Sequence, residues 1–134
     1  MTVKLGTETI RVIALFEKIT KIHAKDCIIE DTCVYFLVDP EKIGLAVGKN
    51  GSTIKQVKNL LKKDVRILGY FDNAEDFIRT QIPSIKSIQI NNGSIIISVP
   101  PKDRVNVIGK SGRNIKIIKE ILKRHFKITQ VKLR

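Results

Sequence analysis

Apolar residues along this chain follow two periods, one after the other. Ile10, Ile13, Phe16 and Ile19 stand three apart, the spacing of one helix face, and predict a helix from Thr7 as N-cap to Ile22. The next runs are short and rich in β-branched residues. "CIIE" and "CVYFLV", joined by the turn residues "EDT", predict two strands. Pro40 opens a short helix at its first turn, where the missing N–H costs nothing. A longer helix runs from about Ser52 to Lys63, with Ile54, Val57 and Leu61 on one face, and "VRILGY" closes the segment as a strand. The order then recurs. A shorter helix near Asn73 to Gln81 begins with Asp72 and Glu75 in capping-box spacing and is stopped by Pro83. "SIQI" and "SIIISV" flank "NNG", a strong hairpin signal. Pro101 opens the next short helix. A helix from about Arg113 to Arg124, apolar at Ile115, Ile118 and Leu122, and a strand in "KITQVKL" complete the chain.

A shift of 61 residues lays 34–67 on 95–128 without a gap, and 11 of the 34 pairs are identical. The identities include Pro40/Pro101, Gly48/Gly109, Lys49/Lys110, Gly51/Gly112, Ile54/Ile115 and Ile67/Ile128. The chain is expected to be two copies of one α+β module, 1–70 and 71–134. Each would have the order αββααβ, with a three-stranded sheet covered by helices. A module of this size buries little core alone, so packing of one copy on the other would help both. The junction "GYFDNA" is short and carries Tyr70 and Phe71, which predicts a fixed interface in place of a flexible linker.

Charge narrows the choice of partner. The net formal charge is +12, with 12 basic against 8 acidic residues in 1–70 and 13 against 5 in 71–134. Such a balance favours an anionic partner. No apolar run approaches the roughly 20 residues of a membrane span, and the start "MTVKLGTETIRV" lacks a signal-peptide core, so a cytoplasmic protein with no membrane partner is expected. Cys27 and Cys33 fall in strand-like segments. With only His23 and His125 beside them at no recognisable spacing, they read as buried thiols and not as metal ligands.

The candidate chemistry lies in "VGKNGSTIK" and its copy "IGKSGRNIK". The phosphate loop of nucleotide hydrolases needs another glycine five residues upstream and a hydroxyl after the lysine. Arg104 stands at the first place in the second copy, and Asn50 at the second place in the first. What remains is G-x-x-G between two helices. Glycine lets the backbone turn and lets a sugar-phosphate chain come close. The next helix N-terminus offers amides and the positive end of its dipole. Lys49 and Lys110 add charge, Asn50 and Ser111 small donors. Lys55, Lys58 and Lys62, and likewise Lys116, Lys119 and Lys123, line one face of the following helix. Lys55, Lys116 and Arg113 lie nearest the loops.

The αββααβ order with G-x-x-G between the central helices resembles the type II KH domain. Two such copies with a short junction resemble the KH pair of the archaeal NusA-like transcription factors, over nearly the whole chain. The resemblance implies binding of single-stranded RNA, each loop clamping about four nucleotides. It implies bases lying in an apolar groove beside each loop, formed by Ile43, Val47 and Ile54 in the first copy and by Val105, Ile108 and Ile115 in the second. The scarcity of aromatic residues, 5%, fits a groove better than stacking platforms. The resemblance also implies a role in transcription termination or antitermination, both loops on one continuous surface, with RNA polymerase as a candidate partner. The polymerase-binding and S1 domains that precede the bacterial KH pair are not read here, so contact by that route is not expected. A KH-type factor of ribosome assembly or RNA processing is the alternative. No catalytic set recurs in register, and Asp39 and Asp64 read as cap or turn residues. A monomer that is not an enzyme and carries no cofactor is expected.

Overall fold

The computed structural model describes residues 6–134, which fall into two compact units dividing between Phe71 and Asp72. The first five residues of the expected 1–70 module lie outside the described residues. In the first unit, α1 (Thr7–Thr20) leads to β1 (Asp26–Ile29) and β2 (Cys33–Val38). A 3₁₀ turn at Pro40–Lys42 opens α2 (Ile43–Val47), and α3 (Ser52–Leu61) and β3 (Asp64–Gly69) follow. β1 pairs antiparallel with β2, and β2 pairs parallel with β3, in the order β1-β2-β3. A parallel pair cannot be joined by a tight turn and needs a crossover. Here α2 and α3 are that crossover, and Gly48 to Gly51 interrupt it.

The core of this unit gathers Phe16, Val34, Phe36, Val38, Ala46, Val57 and Val65. The rings of Phe16 and Phe36 stack with centroids 4.0 Å apart. β2 is buried at every residue, on both of its alternating faces. Burial pushes the Tyr35 hydroxyl up to about 12, with the Cys33 thiol beside it adding to the shift.

The second unit repeats the plan with different lengths: α4 (Ala74–Gln81), β4 (Ser87–Asn91), β5 (Ser94–Ser98), a 3₁₀ turn at Pro101–Asp103, α5 (Arg104–Ile108), α6 (Arg113–Phe126) and β6 (Gln130–Leu133). Its sheet order is β4-β5-β6, again with one antiparallel and one parallel pair. Asn92 and Gly93 both take positive φ, 36° and 85°, as a two-residue hairpin turn requires. Ile95 and Ile97 are buried, as are Ile117, Ile118, Ile121 and Leu122 of α6 and Phe77 and Ile78 of α4. Ser94, Ile96 and Ser98 of the other face are only half-buried.

Several boundaries differ from the sequence expectation. Gly6, not Thr7, caps α1, and that helix stops at Thr20 because Lys21 turns into the left-handed region. The capping pair of α4 is Asn73 with Asp76, not Asp72 with Glu75. Asn73 has the extended backbone of a cap, and its Oδ1 accepts from the Asp76 N–H at 2.8 Å. α3 ends at Leu61, short of Lys63, while α6 continues to Phe126, past Arg124. The extra length breaks the 61-residue register. Strand pairing places Asp64 opposite Cys33 and Gln130 opposite Ser94, so Ile67 corresponds to Leu133 and not to Ile128. The junction aromatics serve the first unit. The Tyr70 N–H donates to the Val38 carbonyl at 2.8 Å, and Lys25 lies 5.1 Å over the Tyr70 ring.

Candidate nucleic-acid interface

The two glycine loops adopt one backbone conformation. Gly48 has φ 80°, ψ 171°, and Gly109 has 78°, 172°. Gly51 and Gly112 both have 73°, 16°. Between them Asn50 and Ser111 share 56°, 27°, left-handed values that an L-residue other than glycine seldom adopts. Each loop is closed by the second glycine N–H donating to the first glycine carbonyl, at 3.1 Å in both.

The two glycines of a loop do different work. A Cβ on Gly48 would stand 2.3 Å from Thr53 Oγ1, and one on Gly109 would stand 2.8 Å from Asn114 Cγ. The first glycine therefore lets the loop lie against the first turn of the following helix. In the second copy that turn is also tied back, since Asn114 Nδ2 donates to the Asn106 carbonyl at 3.0 Å. Around Gly112 a Cβ would meet nothing within 4 Å, and around Gly51 nothing nearer than 3.8 Å. The second glycine has no neighbour close enough to obstruct a Cβ, and at Gly112 the space is open.

Lys49, Asn50, Lys110 and Ser111 are exposed at the tips. The N-cap residues of α3 and α6 are Gly51 and Gly112, which have no side chain to cap the first turn. Lys55 and Lys116 are exposed one turn further on, and Arg113 is exposed as the first residue of α6. The rest of the lysine stripe is less uniform. Lys58 lies 3.3 Å from Asp64, a solvated ion pair of little net stability. Lys62 is the left-handed residue that ends α3, while Lys123 stays within α6.

The expected grooves divide similarly. In the second unit Ile108 and Ile115 line a cavity of about 270 Å³ together with Arg104, Lys119, Val131 and Leu133. Val105 is not part of that lining; it stands 76% exposed on the short α5. In the first unit Ile43 and Ile54 pack against the core, and Val47 is half-buried just before Gly48. In the 61-residue register Ile43 stands opposite Arg104, and Gly44 opposite Val105. Sequence reasoning also missed Val131 and Leu133. Alternation along β6 would have found them, had the strand been started at Gln130.

Among the described residues no three His, Cys, Asp or Glu side chains are grouped to hold a metal ion. Cys27 and Cys33 are buried, and His23 Nδ1 lies 2.8 Å from Glu17 Oε2. No helix among the described residues is long and apolar enough to cross a membrane.

A mixed α+β fold with a three-stranded sheet, whose parallel crossover is broken by a glycine loop, is that of a KH domain, and the sequence profile of the KH domain matches residues 11–70. The chain is 35% identical to the probable transcription termination protein NusA of Methanocaldococcus jannaschii, over 98% of this chain and 75% of that one. It is 30% identical to the protein of the same name from Halococcus morrhuae, over 99% of each. It is similar to the crystal structure of APE1850, with a TM-score of 0.82 and 28% identity over 96% of this chain and 99% of that one. The chain belongs to the NusA-like family of archaeal KH-domain proteins.

Proposed function

We propose that the chain is a single-stranded RNA-binding factor of transcription termination or antitermination, in which each unit acts as one type II KH module. The observation that carries this reading is the agreement of the two loops. Their dihedrals match within 2° although Asn50 stands in one and Ser111 in the other. A strained conformation held twice, with an exposed lysine at each tip, suits a ligand that must approach the backbone closely. In this reading Gly51 and Gly112 leave room for the sugar-phosphate chain, and the amides beginning α3 and α6 meet its oxygens. Lys49, Lys55, Lys110, Arg113 and Lys116 neutralise phosphates, while Asn50 and Ser111 donate to them. Bases lie beside Ile43, Val47 and Ile54 in the first module and beside Ile108 and Ile115 in the second. Val105 would meet RNA only from outside the groove.

The names of the relatives supply the transcription context. A monomer suffices, since both loops sit on one chain. With a short junction, capture at one loop raises the effective concentration of the same strand at the other. RNA polymerase is the second partner proposed.

The test replaces Lys49 and Asn50, and Lys110 and Ser111, by aspartate in the full chain and titrates a short single-stranded RNA. Reversed charge at both loops is expected to weaken binding by at least about 100-fold, since charge-assisted contacts count roughly 1.5–3 kcal/mol each. Circular dichroism should be unchanged. Unaltered affinity would remove the clamp. Sequencing RNA crosslinked to the protein in cells decides the context: nascent transcripts support termination, and pre-ribosomal RNA would support ribosome assembly.

A further inference from the structure

We propose that Arg104 makes the groove of the second unit selective for a base with two adjacent hydrogen-bond acceptors, guanine or cytosine, and that the first unit has no such reader. The inference rests on the RNA-binding reading above. Ile108, which lines the cavity of about 270 Å³, directly precedes Gly109, the first glycine of the loop. Its volume lies below the roughly 300–1,000 Å³ of drug-sized pockets and suits a single ring system. Ile108, Ile115, Val131 and Leu133 give it apolar walls for the faces of a base. Among the described residues, the polar side chains lining it are Arg104 and Lys119. Both donate hydrogen bonds and neither accepts them.

A rim of donors sorts bases by their edges. Guanine presents O6 beside N7, and cytosine O2 beside N3, so either can take both arms of a guanidinium. Adenine sets its amino group beside both N1 and N7, and uracil places an N–H between its two carbonyls. Each of these puts a donor against a donor. The Arg104 fork is also held in place, since its Nη2 donates to the Leu133 carbonyl at 3.1 Å. Less side-chain freedom is then lost when the base arrives. The first unit lacks the arginine, and its lysine is drawn to a carboxylate. Ile43, packed on the core, stands in register with Arg104, and Lys58, paired with Asp64 at 3.3 Å, stands in register with Lys119.

The test uses the full chain with the first loop disabled by Lys49→Asp and Asn50→Asp, so that the second site reports alone. Uridine-rich RNAs carrying one guanosine, cytidine or adenosine are titrated. Guanosine or cytidine is expected to bind on the order of tenfold tighter than adenosine and uridine. A 7-deazaguanosine arm separates the two sources, because it lacks N7 and loses the advantage only if guanine is the base read. Arg104→Lys keeps the charge but not the fork, and should flatten the preference while the salt dependence of binding stays the same. Arg104→Ile should flatten it too, with a small general loss of affinity. Equal binding of all four bases, in a protein whose binding still depends on Lys110 and Ser111, overturns this proposal and leaves the RNA reading standing. A preference that survives in Arg104→Lys also overturns it. Failure to bind any of these RNAs, with the first loop intact as well, overturns both.

Discussion

β2 of the first unit and β5 of the second hold the same central place in their sheets, yet their surroundings differ. Cys33, Tyr35 and Leu37 on one face of β2 are fully buried, while their counterparts Ser94, Ile96 and Ser98 on β5 are half-buried and mostly polar. Helix lengths differ as well: 14 residues in α1 against 8 in α4, and 10 in α3 against 14 in α6. The glycine loops nevertheless share their dihedrals within 2°. Scaffold and loop are therefore governed separately. Burial of a sheet face depends on what covers it. The loop shape depends on a few local features: two glycines at positive φ, one left-handed residue between them, and a helix turn pressed against the first glycine.

Leu37→Ser gives β2 the side chain its counterpart already has in β5, and is expected to have the largest effect. Truncating a fully buried leucine costs about 2–5 kcal/mol, and a buried hydroxyl without a partner adds about 1–3. Urea unfolding should show a loss of at least about 3 kcal/mol. The reverse exchange, Ser98→Leu, should change stability by less than about 1 kcal/mol, because that position is only half-buried. Comparable losses from both would show that the two faces are not distinguished by burial.

The glycines separate architecture from ligand contact within each loop. Gly48→Ala and Gly109→Ala force a methyl group against Thr53 or Asn114 at a backbone conformation nearly exclusive to glycine. Each should cost about 2–4 kcal/mol by urea unfolding. Gly51→Ala and Gly112→Ala keep an accessible left-handed conformation and meet no close neighbour, so each should cost about 1–2 kcal/mol. Their larger effect should fall on RNA affinity, because the added methyl projects into the space assigned to the sugar-phosphate chain. Second-glycine variants that lose stability as the first do, but bind RNA normally, would invert this division.

Much of this was legible in the sequence, for identifiable reasons. β2 was read without error because "CVYFLV" is bounded by turn residues on one side and Asp-Pro on the other. The loops were read because glycine at positive φ and proline at a helix start are local necessities. The register beyond Leu61 and Leu122 was not read, because identical lysines and isoleucines continued the alignment where the helices had ceased to match. Ile128 is buried just ahead of β6 and takes no part in the strand pairing of Ile67. Arg104 escaped notice as a groove residue because nothing local in "KDRVNV" tells that its side chain reaches the Leu133 carbonyl, 29 residues away. Such contacts depend on the crossover bringing α5 beside β6.

The smallest expected effect is the most direct comparison of the two loops as ligands for RNA. Lys49 and Lys110 are both exposed, and each stands next to the first glycine of its loop. Replacing either with alanine should leave the unfolding transition in place. If each neutralises one phosphate, the slope of log affinity against log salt should become shallower by about 0.7 for Lys49→Ala and again by about 0.7 for Lys110→Ala, the value for one counterion released from a single strand. Equal and additive changes would mean that one geometry in two scaffolds serves one chemical purpose. A slope altered by only one of the two would mean that matching backbones are not enough, and that the surroundings of the loop decide whether its lysine meets a phosphate.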